Sequence, residues 1–255
     1  MKTLRLSWAV VSLIAAWTAW PACAAEVRQP HIVLVSFEDE YHAAETLPQF
    51  ARQLHDRFGY HSTCLQGEKE SGIAGLEQLA TADLLVLFVR RHALPKEQMT
   101  RIRRYLDAGK PLLALRTSSH AFSPKTKPPE GWEAWPGFDH DVLGGNYHDH
   151  YGKGPRSEIA VADGAAAHPI LAGLPAGKWT TDSTLYKTSP LASTATVLLM
   201  GKWKDEAEPV AWTNRYHNSR VFYTSLGDAE DFRTPQFRTL LIRAMHWAMD
   251  RPMPK

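Results

Sequence analysis

The sequence predicts an α/β fold, a mostly parallel sheet with helices on both faces, and three observations carry that prediction. Short apolar runs of strand length alternate with helical stretches over residues 31–115. One run, Pro111-Leu-Leu-Ala-Leu115, is apolar throughout, as a strand covered on both faces must be. It then breaks into Arg116, Thr117, Ser118, Ser119 and His120, which sets a cation, three hydroxyls and an imidazole at the carboxyl end of a strand. Open α/β sheets bind ligands at that edge.

The elements follow in order. His31–Phe37 reads as the first strand, and Glu45 to Phe58 as a helix, because Leu47, Phe50, Ala51, Leu54 and Phe58 recur on one face before Gly59 stops it. A second strand is expected near His61–Leu65, a short helix around Leu76–Ala80 and a third strand over Leu84–Val89. Pro95 opens a helix with the stripe Met99, Ile102, Tyr105 and Leu106, and Gly109 ends it ahead of the fourth strand. Right-handed crossovers place helices on both faces, so the first half is flavodoxin-like and the whole a three-layer sandwich. From Ser123 to Gly154 periodicity disappears; Trp132, Trp135, Phe138, Tyr147 and Tyr151 there predict a long packed flap after the fourth strand. Strands resume near Glu158–Val161, Thr184–Lys187, Thr196–Met200, Val210–Thr213 and Arg220–Ser225, expected to be antiparallel. A helix from Pro235 to Met249, with Phe237, Leu240, Leu241, Ala244 and Ala248 facing the core, closes the chain.

Residues 1–25 carry Lys2 and Arg5, an apolar stretch from Leu6 to Trp20, and Ala22-Cys23-Ala24-Ala25, the small-residue pattern of a secretory cleavage site. The apolar stretch falls short of the ~20 residues a membrane span needs, and Trp20-Pro21 ahead of Cys23 speaks against a lipoprotein. The expectation is a signal peptide over 1–25 and one domain over 26–255, periplasmic or secreted, with no membrane attachment once the leader is gone. That domain, roughly 230 residues, suffices for one sizeable core. Removing the leader takes two positive charges and no acid, so the formal net charge falls from +2 to zero and nothing favours nucleic acid. Cys64 is then the one cysteine left, so no internal disulfide forms, and its setting in a strand predicts a buried, inert thiol. A homo-oligomer remains open.

Lining up the strand ends gives a composite rim: Glu38-Asp39-Glu40-Tyr41-His42, Arg90-Arg91-His92, Arg116 to His120, and Gly227-Asp228-Ala229-Glu230-Asp231. Loops are hydrophilic in general, but four successive strand ends bringing ionisable groups to one edge argue for a site. Arg116, at the tip of a buried strand, needs a carboxylate or a ligand anion, and Glu38, Glu40, Asp228 and Glu230 are the partners on offer. In Gly144-Gly-Asn146-Tyr147-His148-Asp149-His150, the two histidines point the same way if the segment is extended. That spacing suits a divalent metal such as zinc, completed by His120, His140 or a carboxylate, and equally suits hydrogen bonding to sugar hydroxyls or acid–base work. No Gly-rich phosphate loop follows the first strand and no Gly-x-Ser-x-Gly elbow occurs. Ser118 and Ser119 would be nucleophiles only if His120 or His148 reached them; hydrogen-bonded loop hydroxyls are the simpler reading.

Taken together, Glu38-Asp-Glu-Tyr41, Glu45-Thr-Leu-Pro-Gln-Phe50, Leu115-Arg-Thr-Ser-Ser-His-Ala-Phe122, Gly144-Gly-Asn-Tyr-His-Asp-His-Tyr-Gly152, Pro209-Val-Ala-Trp212 and Tyr223-Thr-Ser-Leu-Gly227 make the chain similar to the trehalose-utilisation (ThuA-like) family. The likeness covers essentially everything after the leader. It implies a class I glutamine amidotransferase-like fold and a link to carbohydrate metabolism. It also implies that Arg116 stands where true amidotransferases carry the nucleophilic cysteine, and Asp228-Ala229-Glu230 where they carry His-Pro-Glu. Without the thiolate, glutamine hydrolysis by the covalent route is excluded.

Two functions follow as expectations. In the first, an exported enzyme acts on a sugar or keto-sugar by acid–base chemistry, as a hydrolase, lyase or isomerase. Its catalytic candidates are Glu38, Glu40, Arg116, His120, His148, His150 and Glu230; Tyr41, Thr117, Ser118, Asn146, Tyr147 and Asp228 would bind the small-molecule carbohydrate. In the second, the chain is a non-catalytic carbohydrate- or partner-binding module, with tryptophans near the flap as stacking surfaces.

Overall fold

The computed structural model describes residues 28–152, 156–175 and 177–254; the expected signal peptide lies outside them. The described chain runs β1 (His31–Phe37), α1 (Ala43–Phe58), β2 (His61–Glu68), β3 (Gly72–Ile73), β4 (Leu84–Val89), β5 (Leu94–Pro95), α2 (Lys96–Asp107), β6 (Leu112–Leu115), β7 (Trp132–Glu133), β8 (Asp149–His150) and β9 (Ser157–Val161). It continues through β10 (Trp179–Thr181), β11 (Tyr186–Lys187), β12 (Thr196–Trp203), β13 (Glu206–Tyr216), β14 (Ser219–Thr224) and α3 (Pro235–Ala248). The stretch expected as a short helix, Leu76–Ala80, is a 3-10 turn.

One sheet holds most strands in the order β10-β9-β12-β13-β14-β6-β4-β1-β2-β3. At its centre β2, β1, β4, β6 and β14 are mutually parallel. Numbered along the chain, those five strands lie 2-1-3-4-5, the flavodoxin-like order. The sequence assigns β14 to the antiparallel half; it pairs antiparallel with β13 and parallel with β6, and so joins the halves.

Side chains alternate across each central strand. Ile32 and Leu34 of β1 join α1 and α3 on one face, through Leu47, Phe50, Leu54, Phe237, Leu240 and Leu241. Val33 and Val35 join α2 on the other, through Met99, Ile102 and Leu106. These are the three layers. Cys64 departs from its expectation: it is exposed, because β2 lies next to the sheet margin and its residues alternate between half-buried and exposed.

The flap is packed. Trp135 and Phe138 are buried edge to face at 5.2 Å, and the Trp212 indole N–H donates to the Leu143 carbonyl at 2.7 Å, tying a π-helical turn, Asp139–Leu143, to β13. β8 of the flap pairs with β11, His150 opposite Tyr186.

Candidate functional site

β6 ends in a 3-10 turn, Arg116–His120, buried throughout. Arg116 has φ +42°, a left-handed conformation that costs an L residue on the order of 1 kcal/mol. The Tyr223 hydroxyl holds it there, donating to the Arg116 carbonyl at 2.7 Å. The guanidinium lies between two rings, 4.2 Å from the Tyr41 centroid and 4.7 Å from that of Tyr186. It donates to the Ser225 carbonyl at 2.6 Å and the Tyr41 hydroxyl at 3.3 Å, while Nε is buried with no partner. Burial works against its charge, yet Tyr186, Tyr41 and the Asp231 carboxylate hold its pKa above the usual value.

The expected carboxylate partner of Arg116 is therefore corrected: among the described residues none of Glu38, Glu40, Asp228 or Glu230 pairs with it. Glu38 instead accepts the backbone N–H groups of Glu40, Tyr41 and Ala43, each at 2.7 Å. Glu40 pairs with Arg90 at 2.5 Å. Glu230 pairs with Arg233 at 2.6 Å, and Asp228 accepts the Glu230 N–H at 3.3 Å. The buried acid nearby is Asp231, which accepts from Thr181 Oγ1, Ser183 Oγ, Gly227 N and Asp228 N.

Two hollows flank the loop after β1. One, about 470 Å³, is lined by Glu40, Tyr41, Arg90, Arg91, His120, Lys125, Tyr147, His150, Thr184 and Tyr186. The other, about 390 Å³, lies between α1 and the loop before α3 and takes in His42, Glu45, Glu230, Arg233 and Arg238. The first is the candidate site, because the carboxyl ends of β1, β4 and β6 all feed it. It gathers Glu40, Tyr41, His120, Tyr147 and His150 of the predicted residues, with Arg116 behind Tyr41 and Tyr186. Glu38, Asp228 and Glu230 are not in it.

His120 stacks on Tyr147, ring centroids 4.4 Å apart. Its pKa falls to about 3, first through burial and then through Arg91, Arg90, Arg116 and Lys125, so the imidazole is neutral at pH 7. Nδ1 lies 3.1 Å from Ser119 Oγ, and that hydroxyl donates to the Arg116 carbonyl at 3.3 Å. This relay assigns the proton to Nδ1 and leaves Nε2 as the acceptor.

The hydroxyls beside it do other work. Ser118 Oγ donates to the Leu87 carbonyl at 2.8 Å and accepts the Val89 N–H at 3.2 Å, stitching the turn to β4. Thr117 is fully buried, its hydroxyl unpartnered. Neither reaches the cleft, and Asn146, whose side chain donates to the Ser189 carbonyl at 3.1 Å, does not line it.

The two flap histidines separate. His150 lines the cleft, whereas His148 does not; their Nδ1 atoms donate to the carbonyls of Gly152 (2.9 Å) and Asn146 (2.8 Å). Among the described residues no group of three or more His, Cys, Asp or Glu is placed to hold a metal ion. Of the described tryptophans, only Trp132 approaches the area, in a smaller hollow that adjoins the cleft at Arg91.

Asp139 is a residue that the sequence does not single out. It is buried, one oxygen accepts the Tyr147 N–H at 2.7 Å, the other has no partner, and burial pushes its pKa up to about 7. A Cβ on Gly145 would come within 2.4 Å of it, so glycine there lets the flap close over the carboxyl. The glycine pair Gly144-Gly145 is the one signal of this close approach that the sequence carries.

Sheet order and site together define a flavodoxin-like α/β protein with a cation-rich, tyrosine-walled cleft at the carboxyl edge of its sheet. Residues 33–248 match the family model for trehalose utilisation, and the chain belongs to that ThuA family. Among solved structures it is similar to a ThuA-like protein of Bacteroides uniformis (17% identity, 90% of this chain and 95% of that one, TM-score 0.67). A ThuA-like protein of Parabacteroides merdae is comparable (18%, 89% and 93%, TM-score 0.65). The fold also matches part of a β-galactosidase from Rahnella (16%, 89% of this chain and 32% of that one, TM-score 0.57). No curated protein matches the chain.

Proposed function

We propose that the protein is an exported ThuA-family enzyme that acts on a sugar or keto-sugar derivative by acid–base chemistry in this cleft. One observation carries the reading: a neutral His120, oriented by Ser119 and stacked on Tyr147, stands in a cleft walled by Tyr41 and Tyr186. Tyr41 and Tyr147, both half-buried, line the cleft and offer ring edges and hydroxyls to a sugar, and Nε2 of a neutral imidazole takes a proton from a hydroxyl or from carbon next to a carbonyl. Tyr41 and Tyr147 bind the substrate, Arg116 fixes Tyr41 and Tyr186 in place, and His150 is the second acid–base candidate. Export rests on the leader-like residues 1–25; the mature amino terminus, read by mass spectrometry, should begin after Ala24 or Ala25.

The test is turnover of trehalose, its 3-keto form and related glycosides by the mature protein. His120→Ala should lower turnover by about 10²- to 10⁴-fold with the fold intact by circular dichroism. Unchanged turnover in that variant removes the reading. A second reading, a carbohydrate-binding module, is favoured by the fact that the one acid in the cleft, Glu40, is already paired with Arg90; saturable sugar binding with no product would support it.

A further inference from the structure

We propose that the ligand of this cleft is an acidic sugar whose carboxylate is held by Arg91 and Lys125 while its ring lies against Tyr41 and Tyr147; this names the substrate class of the site just described and rests on that reading.

The charge inventory of the walls argues for it. Three cations line the cleft, Arg90, Arg91 and Lys125, and a fourth, Arg116, lies behind the tyrosines. The single acid in the lining, Glu40, is 2.5 Å from Arg90, which also has Asp39 at 3.7 Å. Among the described residues no carboxylate lies within ion-pair distance of Arg91 or Lys125. The adjoining hollow, about 190 Å³, is shared through Arg91 and adds Lys69, Lys127 and Trp132, so the positive field continues past the cleft and meets an aromatic face there. Uncompensated like charges around a concave surface focus a potential that a bound anion relieves.

Arg91 is also built into place. It adopts φ +54°, a conformation rare for any residue but glycine. Two backbone bonds hold it, from Arg91 N to the His120 carbonyl (3.0 Å) and from His92 N to the Ala121 carbonyl (2.8 Å). The His92 ring stacks on Phe37 at 3.5 Å and anchors the turn further. Those same bonds weigh against phosphate. Phosphate sites generally use a cradle of free backbone N–H groups, and here both amides of the turn are spent. Recognition falls to side chains, and the planar fork of the Arg91 guanidinium, with Lys125 lining the same cleft, can hold a carboxylate by two parallel bonds.

Binding should be felt at His120. The groups around its ring are Arg90, Arg91, Arg116 and Lys125, all lowering its pKa, with the neutral Tyr147, Tyr186 and Ser119 in contact. A carboxylate seated on Arg91 and Lys125 offsets two of those cations, so occupancy raises the imidazole pKa. By linkage, the same ligand binds more tightly as pH falls towards that pKa.

The experiment titrates the mature protein with D-glucuronate, D-glucose and inorganic phosphate by calorimetry, and follows the His120 imidazole by NMR. Glucuronate should bind at least about tenfold more tightly than glucose, and its binding should weaken with added salt and raise the His120 pKa. Arg91→Gln and Lys125→Gln, each confirmed folded by its melting curve, should each lower glucuronate affinity about tenfold, and by more than they lower glucose affinity. Equal affinity for glucose and glucuronate, no binding of either, or glucuronate affinity indifferent to both variants overturns the proposal, and so does phosphate binding as tightly as glucuronate. Failure here is separable from failure of the enzymatic reading. Neutral glycosides turned over in a His120-dependent way with no anion preference defeat only the acidic-sugar inference; glucuronate held by Arg91 and Lys125 in a protein whose turnover ignores His120→Ala defeats only the acid–base assignment.

Discussion

The loops that follow β1 and β14 leave the same edge of the sheet as the turns that follow β4 and β6, yet the two regions use their charges in opposite ways. In the first region the acids are spent inside the protein: Glu38 gathers three backbone N–H groups and Asp231 gathers two hydroxyls and two N–H groups. In the second, Arg91 has no acid to pair with among the described residues, and Arg116 is held by rings and carbonyls. Small acids are good anchors because a carboxylate accepts several short bonds from its own loop. Arg90 pairs with Glu40 from the first region, whereas Arg91 and Lys125 have no acid within ion-pair distance among the described residues and are left to define the cleft.

The sharpest way to break this contrast is Asp231→Ala. It strands Thr181, Ser183 and two backbone amides in the interior, and should cost about 4 kcal/mol, a fall in melting temperature of roughly 10 °C. A change below ~1 kcal/mol would mean that Asp231 is no anchor.

Asp139 and His120 test the same contrast through pH, because burial moves them in opposite directions. Asp139 titrates near 7 in the fold against 3.8 when free, so the folded protein keeps a proton that the unfolded chain has lost, and this contribution to stability disappears as pH rises from about 4 to 7. His120 titrates near 3 against 6.5, so the unfolded chain takes up a proton that the fold refuses, and stability is lost as pH falls from about 6.5 to 3. In the overlap the two slopes oppose each other. Melting curves of Asp139→Asn should therefore show stability rising with pH between 4 and 7, and those of His120→Gln stability falling over that window, by up to roughly 4 kcal/mol in each case. Parallel curves for the two variants would show that one of the groups is not desolvated as described.

Much of the fold and part of the cleft are legible in the amino-acid sequence. Leu112 to Leu115 announce a strand covered on both faces, and Arg116 at its tip announces a buried cation. The partner of that cation is not legible, because a sandwich of Tyr41 and Tyr186 joins residues far apart in the chain and leaves no local pattern. Asp139 is hidden for a related reason: its environment is made by the flap folding back at Gly145, and tertiary burial alone turns an ordinary aspartate into a carboxyl titrating near 7. Glu38 misleads because strand-end acids look alike in sequence whether they face a ligand or cap a helix. β10 escapes because three residues give no alternation to read.

Glu38→Ala should show the anchoring role at moderate size. α1 begins at a residue in the left-handed conformation, His42 at φ +60°, with no side-chain cap of its own, and Glu38 supplies that cap from outside the helix. Its loss should cost about 2 kcal/mol and, by loosening Tyr41, weaken ligand binding as well. Stability lost with binding intact would separate the anchor from the cleft.

Glu230→Ala is the smallest effect and the one that decides which hollow does chemistry. Glu230 follows β14, where the family likeness sets it against the His-Pro-Glu of glutamine amidotransferases and so makes it a catalytic candidate. In the fold it lines the hollow beside α1, which shares no lining residue with the cleft of His120, and its carboxylate pairs with an exposed Arg233. An exposed pair of that kind contributes under ~0.5 kcal/mol, so the variant should melt with the parent protein and turn over substrate at the parent rate. A loss of more than about a hundredfold would move the acid–base chemistry to the α1 hollow and leave the cation-rich cleft as a binding surface only.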